Sequence, residues 1–445
     1  MRSVLILLFL LPSVWGYTQN IKGIVLDSQN NEPLIGVHVY FIKINEGTST
    51  NSKGEFNLKI HSKINIKDTI QFSCIGYKTK KITYNNLEEN KFIIPLSVDI
   101  HILKEVTIVP KLLKSNLNYT KLTSITDGLY SFGSLIIGDQ IYVISGDASY
   151  KEDMALEALS NYANNPNFIG GIKPDFSWEE FKGSMYIYDI NTDKWRVSNL
   201  SFRERAYHNI HFYNNKIYVI GGKRLSTNRV YEYLDDKIEV YYLKSDTILI
   251  DNVNPHQAVN FASFVYNKNI IIAGGSTKLQ IDGQKEYSNK VHVFNLETGY
   301  WFELKDMPKA KETKGVLIHN KIYFIGGFNF QPLKEIETYD LITSEWEIEG
   351  ELFRGMERPA ITFYKNIIYI FEDERINTYN VETKELNEYL IDLPLLFSEL
   401  FFANNKLYLL GGYIKEDFRT KPSSDLYSID IKEFEKTKVN KCKVF

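Results

Sequence analysis

Ile217-Tyr218-Val219-Ile220-Gly221-Gly222 decides the fold. Its first four residues are β-branched or aromatic, so they favour a strand. Neither side of that strand is polar, which predicts burial on both faces. The two glycines that follow permit positive φ or a close backbone approach, where a side chain would clash. The stretch recurs as Ile141-Tyr142-Val143-Ile144-Ser145-Gly146, Ile270-Ile271-Ile272-Ala273-Gly274-Gly275, Ile322-Tyr323-Phe324-Ile325-Gly326-Gly327 and Leu407-Tyr408-Leu409-Leu410-Gly411-Gly412. A further copy, Ile367-Ile368-Tyr369-Ile370-Phe371-Glu372, has Glu372-Asp373 where the small pair is expected. Aligned on the small pair, with Glu372-Asp373 in its place, successive units lie 76, 53, 52, 46 and 39 residues apart.

A second element follows each strand. Tyr188-Asp189 precedes Trp195, Phe294-Asn295 precedes Trp301 and Tyr339-Asp340 precedes Trp346, with the polar residue six positions before the Trp each time. Tyr379-Asn380 keeps the spacing but ends on Leu386, and the second unit shows Thr247-Ile248 where the Trp is expected. The Asp or Asn with the following Thr predicts a hairpin turn, and the Trp is expected to pack back across the pair as a core residue. Units of this length, each about four strands, describe the blades of a β-propeller. The Gly-Gly, Tyr-Asp and Trp pattern resembles the kelch repeat. The expectation is six blades over residues 118–439, with the closure of the ring left open and 118–125 able to supply an outer strand.

Upstream, residues 20–109 read as seven short strands without a helix, which predicts a β-sandwich. The runs Ile21-Lys22-Gly23-Ile24-Val25, Glu32-Pro33-Leu34-Ile35-Gly36-Val37, Thr50-Asn51-Ser52-Lys53-Gly54-Glu55-Phe56 and Ser73-Cys74-Ile75-Gly76-Tyr77 resemble the carboxypeptidase-regulatory-like domain. That resemblance implies a transthyretin-like sandwich with no catalytic residues, of a type common in Bacteroidota ahead of outer-membrane barrels. The whole chain is thus expected to be all-β.

Arg2, the apolar run Val4–Leu11, and Val14 and Gly16 at the −3 and −1 positions read as a secretory signal peptide over residues 1–16. Export to the periplasm or cell surface is expected, with association with outer-membrane components, and without a membrane-spanning segment after cleavage. The net charge of −3, from 52 basic against 55 acidic residues, gives no electrostatic footprint for nucleic acid. The two cysteines, Cys74 and Cys442, make no disulfide framework. No metal or cofactor motif is present, and no catalytic residue is assigned.

In an antiparallel blade a–b–c–d, the a–b and c–d turns share one face and the b–c and d–a links share the other. The a–b turns are short, as at Tyr213-Asn214-Asn215. The long insertions, 147–182, 222–236, 276–290, 328–334 and 413–424, all fall on the opposite face, where binding is expected. The first of them reads as a lid, with a helix over 153–162 and Trp178 beyond it. Residues after each small pair and at each a-strand start are expected to ring the central opening. They are Asp147, Lys223, Arg224, Glu374 and Tyr413, with Arg205, Tyr207, Lys311 and Arg358. The basic and aromatic mix suits a protein loop or glycan carrying a carboxylate, and Arg205 and Arg358 are the leading candidates. Two alternatives stand beside this binding role. One is a sugar-acid (sialic acid) mutarotase using Glu204, Glu312 or Glu374 with an Arg. The other is a structural envelope protein.

Overall fold

The structure is a computed structural model. It describes residues 19–99, 113–164, 176–229, 231–251, 253–279, 285–416 and 418–445. The expected signal peptide, 1–16, lies outside the described residues, as does 165–175 of the lid. The chain divides into two compact units, Met1–Pro110 and Lys111–Phe445.

In the first unit, Gln19–Asp27 lies between Glu55–Ile60, antiparallel, and Ile93–Leu96, parallel. A second sheet orders Glu46–Ser49, His38–Phe41, Thr69–Ser73 and Lys80–Thr83. Glu55–Ile60 alternates strictly between exposed and buried. Its Phe56, Leu58 and Ile60 meet Val39, Phe41, Ile70 and Phe72 in one core. This is the expected sandwich with one addition, a short helix over Tyr84–Glu89 that buries Leu87.

The second unit is a ring of six blades. From the inside out, blade 1 runs Gly133–Ile137, Gln140–Asp147, Phe181–Asp189 and Lys194–Ser201. Blades 2 to 4 repeat this order from Asn209–Tyr213, Ala262–Tyr266 and Glu312–Ile318. Blade 5 runs from Ala360–Tyr364 to Glu385–Leu390 and takes a fifth strand, Lys441–Val444. Blade 6 holds Glu399–Ala403, Lys406–Leu410 and Leu426–Asp430, and its outer strand is Thr120–Lys121. The innermost strands pack side by side in chain order, and that of blade 6 returns to that of blade 1. The ring is therefore closed by the segment before blade 1.

The small pairs work as the sequence implies. Gly222 has φ 82°, and a Cβ there would stand 2.4 Å from the Ala206 carbonyl oxygen. The c–d turns are built on Asp189, Asn295, Asp340 and Asn380, each accepting from backbone amides two and three residues on. Trp195, Trp301 and Trp346 lie over Tyr188, Phe294 and Tyr339, with centroids 5.0, 4.7 and 4.8 Å apart. Trp346 is only half-buried, because its strand is the outermost of blade 4, while Tyr323 is a buried core residue.

Candidate functional site

All five long insertions lie between strands b and c, so they share one face with the d–a links. Blade 5 turns there in two residues, Asp373 and Glu374, both at positive φ and one place beyond the Glu372-Asp373 that aligns with the small pairs. The insertions of blades 1 and 6 join. Phe176–Trp178, Tyr150–Glu152, Arg419–Pro422 and Tyr413–Glu416 form one sheet across the seam of the ring. The expected helix is present at Met154–Asn164. A cavity of about 630 Å³ opens beneath this sheet, among Lys151, Lys182, Arg419 and Lys421 and the acids Asp127, Glu152 and Glu180.

The central mouth on this face has one residue from each blade junction. Ser131, Tyr207, Asn260, Glu312, Arg358 and Phe397 each stand fourteen positions before the first residue of their small pair. They converge on Arg358. Its Nη1 donates to Ser131 Oγ and to Asn260 Oδ1, both at 3.1 Å. Its guanidinium carbon lies 3.6 Å from the Phe397 ring centroid and 5.2 Å from that of Tyr207. Asn260 Nδ2 in turn donates to Glu312 Oε2 at 3.0 Å. Arg358 closes the mouth as a plug. The void left beside it is about 30 Å³, room for one or two waters. Below lies a polar chamber of about 180 Å³ lined by Asn209, His211, Ser263, Lys314 and Glu399.

Of the residues expected at the opening, Arg358 and Tyr207 are there and Tyr413 stands on the rim. The Tyr413 ring lies 5.0 Å from that of Phe397 and 5.4 Å from that of Tyr130. Tyr207 donates to Asp147 Oδ2 at 2.8 Å, and burial together with that carboxylate holds its phenol well above the ordinary value. Asp147 is itself buried, so it orients Tyr207 rather than facing outward. Lys223 lies 4.5 Å over the Tyr207 ring and is paired with Glu232 at 2.5 Å.

Four residues belong elsewhere. Arg205 is fully buried and paired with Asp235 at 3.1 Å and Glu239 at 2.9 Å, and it donates to the Gly221 carbonyl. Lys311 is buried too, bonded to Glu337 and to the Gly326 carbonyl. His256 on Gly274 and Arg354 on Glu372 repeat the device. Ser398 Oγ does the same on Gly411, so in five blades a donor from the d–a link or, for Arg354, from the end of the preceding outer strand caps the first carbonyl of the b–c turn, because a buried carbonyl must be satisfied. Arg205 and Lys311 are structural caps. Arg224 is drawn to Asp235 at 3.4 Å. Glu374 is exposed at its tight turn, bonded through its backbone to Ile391 and Leu393. Trp178 is exposed on the inserted sheet, with Arg229 4.9 Å from its ring.

Sequence reading missed Ser131, Asn260 and Phe397. The fourteen-residue spacing from the small pair was the signal that identifies them.

Residues 157–371 match the KLHDC2/KLHL20/DRC7 Kelch-repeats domain, and residues 21–108 match the CarboxypepD_reg-like domain. Kelch-like protein 41b of Danio rerio is 27% identical over 213 residues, 46% of this chain and 33% of that protein. Kelch repeat and BTB domain-containing protein 12 of Homo sapiens is 26% identical over 223 residues, 47% of this chain and 35% of that protein. The chain thus spans about a third of the length of these relatives. The solved structure of YjhT aligns with a TM-score of 0.52 at 13% identity, covering 72% of this chain and 99% of that one, which is a likeness of fold. Repeat pattern, ring and matches together make the chain a kelch-repeat β-propeller protein with an N-terminal carboxypeptidase-regulatory-like domain.

Proposed function

We propose that the protein is a binding protein whose loop-side mouth receives an acidic group of a partner, with Arg358 as the receiving cation. One observation carries this reading. Arg358 has only 12% of its side chain exposed, yet its close hydrogen bonds go to the neutral oxygens of Ser131 and Asn260. The nearest carboxylate, Glu357, is 3.5 Å away, and the buried Nε has no partner. Buried charges are ordinarily paired. Arg205 is paired with two carboxylates at 3.1 and 2.9 Å, whereas Arg358 has one, at 3.5 Å, and the Nε of each lacks a partner.

The size of the mouth favours an acidic side chain or chain end of a protein over an enclosed sugar acid, which does not fit in about 30 Å³. The mutarotase reading is weaker on its acids as well. Glu204 and Glu374 are exposed, and Glu312 is held by Lys285, Ser276 and Asn260. Export, expected from residues 1–16, makes the partner a component of the cell envelope.

The test is an array of acidic peptides probed with wild type, Arg358→Ala and Arg358→Lys. A charge-assisted contact worth about 1.5–3 kcal/mol predicts a loss of about 10- to 100-fold for Arg358→Ala. Arg358→Lys loses the planar fork and recovers little. Equal affinity of Arg358→Ala for every wild-type ligand refutes the assignment.

A further inference from the structure

The opposite face carries a second cavity. With its outer strand supplied by Thr120–Lys121, blade 6 needs no c–d turn, so the chain leaves Asp430 free to cross toward blade 5. It does so through the single turn Ile431–Glu433 and ends as the fifth strand of blade 5. Between this crossing segment and the blade 5 sheet lies a cleft of about 580 Å³. That is within the about 300–1,000 Å³ of ordinary small-molecule sites.

Its walls have a consistent chemistry. Phe434 lies against the rings of Tyr369 and Tyr389, with centroids 5.4 and 4.9 Å away. Tyr364 is fixed by stacking on Phe402 at 4.0 Å. Tyr364, Tyr369, Tyr389 and Thr378 line the cleft, and their hydroxyls take no hydrogen bond among the described residues. Burial and the neighbouring phenols of Tyr389 and Tyr364 push Tyr369 up to about 12, so it remains a neutral donor. Asn387 donates to Glu385 at 2.6 Å, which fixes both side chains at the wall, and Asn380 and Asn405 add further amides. Charge balances, with Lys365 and Lys432 against Glu385 and Glu435.

We infer that this cleft is a binding site for a neutral saccharide of about two sugar rings. Aromatic rings offer apolar faces and edges to the C–H surfaces of a pyranose. Hydroxyls, amides and an oriented carboxylate match its alternating donors and acceptors. A cleft with no net charge gives an anion no advantage, which separates this site from the mouth around Arg358.

Saturation-transfer NMR and calorimetry on the full chain decide the matter, using maltose, cellobiose, lactose and chitobiose as probes. The expected result is saturable binding of at least one, little changed between 50 and 500 mM salt and unchanged in Arg358→Ala. The double variant Tyr369→Phe/Tyr389→Phe keeps the ring packing and removes two hydroxyls. It should bind at least 10-fold more weakly while its melting curve stays close to wild type. Should that variant lose its fold, Asn387→Ala gives the same reading from the cleft wall. No saturable binding by any of the four sugars overturns the inference. So does undiminished binding by a folded cleft variant, or binding abolished by Arg358→Ala.

Discussion

Acidification from pH 7.5 to 5.5 should destabilise the propeller through three histidines held neutral in its interior. His208 accepts burial with Nε2 on the Ile144 carbonyl, and desolvation, aided by nearby Arg205, lowers its pKa to about 3. His211 beside Ser263 and His256 against Gly274 are lowered to about 4, each chiefly by burial. An unfolded chain takes up these protons near pH 6.5, whereas the folded one resists until about pH 4 or 3. The stability they contribute is therefore complete above 6.5 and falls as pH drops below it. One unit below 6.5, each costs about 1.4 kcal/mol, or about 4 kcal/mol together. Glu372 opposes them. Burial raises its pKa to about 7, so it gains a proton in the folded state first and returns about 2 kcal/mol over the same interval. The net loss is about 2 kcal/mol, a large share of an ordinary domain's stability. Urea unfolding followed by tryptophan fluorescence measures it on the propeller, because Trp178, Trp195, Trp301 and Trp346 all lie in that unit. The double variant His208→Gln/His256→Gln should flatten the acid limb. A midpoint that does not move between pH 7.5 and 5.5, or an acid limb that persists in that variant, refutes the reasoning.

Two further outcomes are expected. Arg205→Ala leaves Glu239 buried without its partner while Arg203 still holds Asp235 at 3.0 Å, so stability should fall by about 3–5 kcal/mol in urea unfolding. Residues 19–99 and 113–445 produced separately should each melt cooperatively, and trimming the second fragment to start at 126 should remove the closing strand and broaden its transition.

The blades were legible because their signals are local. The small pair, the Asp or Asn turn and the Trp each act within a few residues, and the chain repeats them. Ring closure was harder to read, because the strand that achieves it, Thr120–Lys121, is two residues long and has no pattern of its own. The sheet joining the insertions of blades 1 and 6 depends on Lys151 meeting Thr420, a pairing no local periodicity records. The same distance effect explains the misplaced arginine. Position at a strand start put Arg205 and Arg358 together, but what separates them is Glu239, thirty-four residues beyond Arg205. The helix Tyr84–Glu89 was missed because it is a single short turn inside a strand-rich stretch.

Sixfold repetition itself separates structural from functional positions in this ring. A demand that the fold makes of every blade should be met by similar chemistry in each. The capped carbonyl behaves this way, with Arg205, His256, Lys311, Arg354 and Ser398 each donating to it from a nearby, not identical, position. The mouth position does not. Ser131, Tyr207, Asn260, Glu312, Arg358 and Phe397 occupy equivalent places with a small hydroxyl, a phenol, an amide, an acid, a cation and a phenyl ring. Backbone geometry at that position does not call for one side chain, since Ser131, Tyr207, Asn260 and Phe397 share positive φ between 49° and 63°. Two aromatic residues among the four, Tyr207 and Phe397, at a φ that favours glycine are a cost to folding. A polar, asymmetric ring assembled around one loosely paired cation suits recognition of a particular acidic partner, and closure of the propeller does not require it.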